Sequence, residues 1–315
     1  MDQLRSPRAD FGAINEGSRL MGLRTNPSQR QRRLGEELRR MREASGLSAT
    51  EAGAHVSLGR AHMSHIETGR TAIPEDKLRT LARIYGCTSE PLIEALVEMS
   101  QTTGRGWWSE YKASHDAHAL DLAELESSTT IYRSFQWLYV PGLLQTPDYV
   151  RAVITGGEPD ASAALLDKYI EFRLRRQHVL TERGLPFHAV IHEAALHMQF
   201  VSADVMRRQI QHLVQMARLS HIQIQILPFK ANVHPPRFSM PFVIFEGPVP
   251  DLNTVYVEQP ITCPFISDHD RFGQFSEAFD RLSTVALEPI DAQLEPELHA
   301  KRDSLGLIRH LMYTL

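Results

Sequence analysis

Between Gly59 and Gly69 the chain reads GRAHMSHIETG, and helical spacing divides its side chains into two sets. Met63 and Ile66 lie three residues apart and turn toward a core together with Leu58. Arg60, Ala61, Ser64 and His65 fall on the other face, and that outer set has the chemistry to read a duplex. An α-helix fits the B-DNA major groove, and its first turns bring side chains to base edges. The Arg60 guanidinium can bond guanine O6 and N7 together, Ser64 and His65 can reach bases or phosphate, and Ala61 can rest on a thymine methyl. Just beyond, Arg70, Thr71 and Lys77 are candidates for backbone contacts that set register without carrying sequence information.

Other groupings carry less chemistry. His192-Glu193 is followed by His197, so the two histidines stand five apart, whereas H-E-x-x-H needs four to bring both to one helical face. The 15 histidines are otherwise scattered without ligand spacing, and neither G-x-S-x-G nor a glycine-rich phosphate loop occurs. We therefore expect no catalytic residues, no metal and no cofactor. Cys87 and Cys263 are the only cysteines, which excludes a disulfide framework and a four-cysteine zinc site.

A reading helix needs elements to hold it. Leu34, Leu38 and Met41 recur at helical steps over Gln29 to Ala44, and Gly46 ends that first helix. Ser48 and Glu51 form an S-x-x-E capping box that opens a second helix, running to about Val56. Gly53 in it leaves room for the next helix to cross closely, and the turn is Ser57-Leu58-Gly59. A fourth helix starts at Pro74 with acids in its first turn and carries Leu78, Leu81 and Tyr85. A fifth follows from about Ser89 with Leu92, Ile93, Leu96 and Val97. Five helices thus fill a domain over 29–100.

The charge is uneven along the chain. The net value is -4, but residues 1–86 hold 15 Lys and Arg against 10 Asp and Glu, and the remainder holds 19 against 28. A basic front on an acidic body suits a short DNA-reading module followed by a domain with other business. Residues 1–28 have no helical or strand period and read as a flexible arm. The basic run through Arg24, Arg30, Arg32 and Arg33 reads first as a solvated tail, and second as an arm lying along phosphates. No signal peptide is visible at the start and no apolar run approaches 18 residues, so a cytoplasmic protein is expected.

Residues 101–120 form a linker holding Trp107, Trp108 and Tyr111, which we expect to dock the small domain on the large one, with a ligand- or partner-binding role as the alternative. The rest, 121–315, is α+β, a mixed sheet of about five strands flanked by helices. Strands are expected at 131–140, 187–192, 222–227, 242–245 and 255–258. Helices are expected near 121–127, 147–155, 161–181, 203–219, 268–285 and 295–312. Ile222-Gln-Ile-Gln-Ile226 alternates, so one strand face is buried and the other is polar or in contact. Phe272, Phe275, Phe279 and Leu282 read as core packing. Arg173, Arg175 and Arg176 make a basic ridge, either solvated and salt-bridged or holding an acidic ligand.

Two resemblances follow from particular residues. Gly46-Leu47, Ser48-x-x-Glu51 and Ile66-Glu67-Thr68-Gly69-Arg70 make the first domain resemble the lambda-repressor-like, or XRE, helix-turn-helix class. That resemblance implies a buried pair between Glu67 and Arg42, which fixes an inter-helix angle rather than reading DNA. The chain departs from the class at Ala49, where a glutamine commonly touches phosphate, and at Ser57, which replaces the usual turn glycine. Val140-Pro-Gly-Leu-Leu-Gln-Thr-Pro-Asp-Tyr149, Glu171-Phe-Arg-Leu-Arg-Arg-Gln177, His192-Glu-Ala-Ala-Leu196, Gln225-Ile-Leu-Pro-Phe229 and Tyr256-Val-Glu258 make the larger domain resemble that of actinobacterial Scr-like antitoxin regulators. This implies a regulator of transcription with a small companion protein or a small-molecule ligand. The 230–236 loop around His234 has prolines where relatives have glycines, which bears on what it binds. A homodimer on palindromic double-stranded DNA is expected, because one module offers little surface for a tight specific complex. An antitoxin-like protein that restrains its companion and controls its own operon is the alternative.

Overall fold

A computed structural model describes residues 23–231, 240–259, 263–291 and 303–315. Ser28 caps α1 (Gln29–Ala44), with its hydroxyl accepting from the Gln31 amide and the Gln31 side chain closing the reciprocal bond. The Ser48–Glu51 box opens α2 (Ala49–His55) in the same way, and α3 (Arg60–Glu67) follows the predicted turn. Helices α4 (Glu75–Ile84) and α5 (Glu90–Gln101) complete the small domain. Its core joins Leu34, Leu38, Met41, Met63, Ile66, Leu78, Leu81 and Leu96, the residues whose spacing is helical.

The larger domain is α+β, as expected. Six strands pair among the described residues: β1 (Ile131–Gln136), β2 (Phe187–His192), β3 (Ile222–Leu227), β4 (Phe242–Glu246), β5 (Thr254–Val257) and β6 (Phe265–Ile266), in the order β3-β2-β1-β4-β5-β6. The first three are mutually parallel, and β4, β5 and β6 continue antiparallel. The two-residue β6 is too short to leave a period in the sequence. β1 stops at Gln136 rather than reaching Val140, because the chain bends through Trp137 to Tyr139 into a 3-10 turn at Gly142–Leu144.

One sheet face packs under α6 (Ala117–Ser128), α7 (Pro147–Gly157), the short α9 (His178–Thr181), α10 (Ala203–Met216) and the last helix, while α8 (Ala163–Arg176) packs on α7 and on the 107–111 turn. The other packs on α11 (His269–Val285), whose Phe275, Phe279 and Leu282 are core. Gln225 is therefore buried rather than on a polar face: its side chain donates to the Ser283 and Leu287 carbonyls and bonds His188. The helix expected over 161–181 is divided between α8 and α9, and α6 begins earlier than expected because Asp116 caps it at the Ala119 amide. The last helix, α12, spans Ser304–Thr314; the start expected for it at 295 lies outside the described residues. Among the described residues no helix is long and apolar enough to cross a membrane.

Candidate nucleic-acid interface

The outer face of α3 is open. Arg60, Ala61 and Ser64 are exposed, His65 is half-buried, and Met63 and Ile66 are sealed beneath them. Two close approaches fix this orientation. A Cβ on Gly53 would lie 2.3 Å from the Leu58 carbonyl oxygen, so the turn folds tightly against α2. A Cβ on Gly35 would lie 2.5 Å from the Glu67 carbonyl oxygen, so the end of α3 rests on the backbone of α1. Gly35 was not read as a contact from sequence, although a lone glycine inside a helical pattern is a signal of close packing.

Ser57 adopts φ 55°, the left-handed conformation for which the usual glycine is suited. A Cβ is strained there by about 1–2 kcal/mol, while glycine costs about 0.5–1 kcal/mol of extra chain entropy. Ser57→Gly should thus leave stability unchanged or raise it by about 1 kcal/mol, read from the urea midpoint at unchanged slope. A clear loss would mean that the serine hydroxyl makes a contact of its own.

Behind the face lies the ion pair that the resemblance implied. Arg42 Nε donates to Glu67 Oε1 at 2.6 Å and Nη2 to Oε2 at 3.0 Å, while Nη1 reaches the Leu47 carbonyl at 2.9 Å. Both residues are buried, and the Glu67 hydrogen bonds hold the Arg42 proton more tightly than usual. The pair thus fastens the end of α3 to the end of α1 and to the segment leading into α2.

The residues beyond α3 divide. Arg70 is exposed and Thr71 half-buried; their amides both donate to the His65 carbonyl, extending the end of the helix. Lys77 Nζ donates to the Val56 carbonyl at 2.9 Å, tying α4 to the end of α2. The ammonium keeps two further protons, so Lys77 can touch phosphate only from the position in which the Val56 carbonyl holds it.

The basic run before and within α1 is not a phosphate track. Arg24 is pinned to the segment after α3, its amide donating to the Arg70 carbonyl at 2.9 Å and its Nη1 to the Gly69 carbonyl at 3.1 Å. The expected arm of 1–28 is thus held from Arg24 onward, and residues 1–22 lie outside the described residues. Arg30 pairs with Glu124 at 2.8 Å and Arg32 with Asp121 at 2.9 Å, both acids on α6. Arg33 bonds Glu37 and the Asp251 carbonyl. Ser267 meets Glu36, and Val249 and Leu252 join the small domain's core. Opposite charges in the two domains meet along α1, so part of the basic front is spent on an internal contact.

The linker aromatics dock elsewhere than expected. Trp107–Tyr111 is a 3-10 turn packed within the larger domain: Trp108 and Tyr111 cluster with Ala123 and Phe172, and Trp107 lies 5.2 Å from the Phe172 ring. Arg175 stacks over Trp107 at 5.2 Å. Trp107 and Trp108 therefore cover α6 and α8. On α8, Arg176 is paired through two bonds with buried Glu126. Half-buried Arg173 has a single bond among the described residues, Nη1 to Gln145 Oε1 at 3.3 Å. His192 accepts the Ala194 amide, a local bond, and Glu193 accepts the Phe229 amide from 36 residues on. His234 lies outside the described residues.

Comparison with protein families agrees with this division. A helix-turn-helix domain model matches residues 33–96, and a model for a domain of unknown function (DUF5753) matches residues 119–293, more than half of the chain. No curated protein and no solved structure matches the chain. The small domain is a helix-turn-helix module, which implies DNA binding.

Proposed function

The chain belongs to the DUF5753 family, and we propose that it is a sequence-specific transcriptional regulator whose helix-turn-helix module reads an operator and whose larger domain senses a signal or partner. The observation that carries this reading is the exposure of Arg60, Ala61 and Ser64 on a helix whose inner face and end are rigidly held. In this reading the module is of the lambda-repressor-like kind, Arg60 contacts a guanine, and Arg70 and Thr71 set register on phosphates. Two copies bind half-sites about one helical turn, or about 34–36 Å, apart. The larger domain grips α1, which also anchors Arg42, so any change in that grip bears on α3.

Fluorescence anisotropy on a fragment of the protein's own promoter tests the reading. Affinity should fall steeply and log-linearly with salt, by counterion release. Arg60→Ala should cost about 1–3 kcal/mol and relax preference at one base position. A uniform loss over all sequences would make Arg60 a phosphate contact, and no specific binding to any genomic fragment would sink the regulator. A small protein that co-purifies in stoichiometric amount would identify the sensed signal as a companion chain.

A further inference from the structure

Alternation along β1 places Tyr132, Ser134 and Gln136 on the sheet face covered by α6, with Arg133 and Phe135 on the face of α11. Tyr256 shares that first face in β5, and Glu258 follows it two residues on. Ser134 is 1% exposed, and its hydroxyl meets no hydrogen-bond partner among the described residues. Its cross-strand neighbours are Ala189 and Val243, neither of which carries a hydrogen-bonding side chain. At the end of the strand Gln136 donates to Glu258 at 3.1 Å.

Above this face α8 brings two guanidinium groups one turn apart, and only one of them has a carboxylate mate. Arg176 is neutralised by Glu126. Arg173 has no carboxylate within ion-pair distance among the described residues, and burial together with the neighbouring Arg176 charge pushes its pKa down. Burial also pushes the Glu258 carboxyl up against the pull of Arg173 and Arg176, and Glu258 attracts Arg173 without forming a salt bridge to it. A guanidinium left this way is costly unless an anion completes it. The sheet changes from parallel to antiparallel pairing between β1 and β4, and Gln136 and Glu258 both stand at the carboxyl ends of their strands. Exposed Trp137 and Tyr139 leave β1 directly after Gln136 and supply apolar surface at the same edge.

We propose that Ser134, Gln136, Glu258 and Arg173 form a binding site for a small organic anion, with Arg173 holding its acid group and the sheet residues meeting a polar substituent. The acid group is a carboxylate or a phosphate. The site gives the sensing role of the larger domain its ligand class, and rests on that role only for its effect on DNA.

Titration calorimetry and thermal unfolding of the full chain, with sodium phenylacetate and sodium phosphate as probes against sodium chloride at equal ionic strength, test the site. One probe should bind saturably, and which one does identifies the acid group. Arg173→Met should weaken it by about tenfold or more, the scale of a charged hydrogen bond, and Arg173→Lys should lie between. Ser134→Ala should weaken the probe while leaving the ligand-free midpoint unchanged or higher, since it removes an orphaned hydroxyl. Absence of saturable binding by either probe, or equal binding by Arg173→Met, would overturn the site and make Arg173 a brace for Gln145. Operator affinity measured in parallel separates the two readings. A bound probe that leaves it unchanged supports the site and counts against its coupling to DNA; intact operator binding with no probe bound removes the site and leaves the regulator.

Discussion

Glu67→Ala should lower stability by about 3–5 kcal/mol, the usual cost of stripping one partner from a buried ion pair, and should abolish operator binding. The mutation leaves buried Arg42 with the Leu47 carbonyl and a longer contact, 3.5 Å, to the exposed carboxylate of Glu43. Because Glu67 is the last residue of α3, and Gly35 of α1 rests against its carbonyl, the loosened part is the helix we propose to read DNA. Hydrogen exchange should show faster opening of α1 and α3 amides with the sheet amides unchanged. Arg42→Met combined with Glu67→Leu is the informative control. Replacing both partners with apolar groups should restore most of the stability, so operator binding that stays lost would assign the pair to orientation rather than to energy. A cost below about 1 kcal/mol for Glu67→Ala would show that the pair behaves as a surface bridge.

Glu126→Ala should be comparably damaging, by about 3–5 kcal/mol, but in the larger domain. Glu126 is 1% exposed and receives both Nε and Nη2 of Arg176 at 2.8 and 2.6 Å. Burial pulls the Arg176 pKa down, yet the Glu126 charge and hydrogen bonds outweigh it and the net shift is upward. Removing the acid would leave Arg176 and Arg173 as two unpaired guanidinium groups beside each other. The same helix carries Asp121 and Glu124, which hold Arg32 and Arg30 of the small domain. Exchange should therefore quicken in α6 and α8 and, more weakly, at the start of α1. Protection unchanged in α1 would show that the two domains open independently.

The divisions within the small domain were legible because they are local. Capping at Ser48, the 3-4 spacing of Leu34, Leu38 and Met41, and the inward set Met63 and Ile66 all act within a few residues, where period and position decide the outcome. The Arg42–Glu67 pair spans 25 residues and became readable only through resemblance. Sequence reasoning failed where charge alone was the guide. Arg30, Arg32 and Arg33 look like a solvated run or a phosphate track, yet their partners stand at Glu124, Asp121 and Asp251, far along the chain. No period links residues 94 or 218 positions apart. Trp107 and Trp108 were expected to dock, but which surface receives them depends on Phe172 and Ala123.

By itself, then, the sequence determined the helices, most of the strands and which face of α3 turns outward, because backbone hydrogen bonding and side-chain period are properties of short stretches. The tertiary structure alone decided which charges are used internally and which remain for a partner. Arg173 and Arg176 are indistinguishable as members of one basic ridge. Folding gives Arg176 the Glu126 carboxylate and leaves Arg173 with Gln145 and no salt bridge among the described residues, since a charge acquires a role only from what it is brought against. Arg60 is the converse case: it is exposed, with nothing brought against it among the described residues, and is left available to a partner from outside.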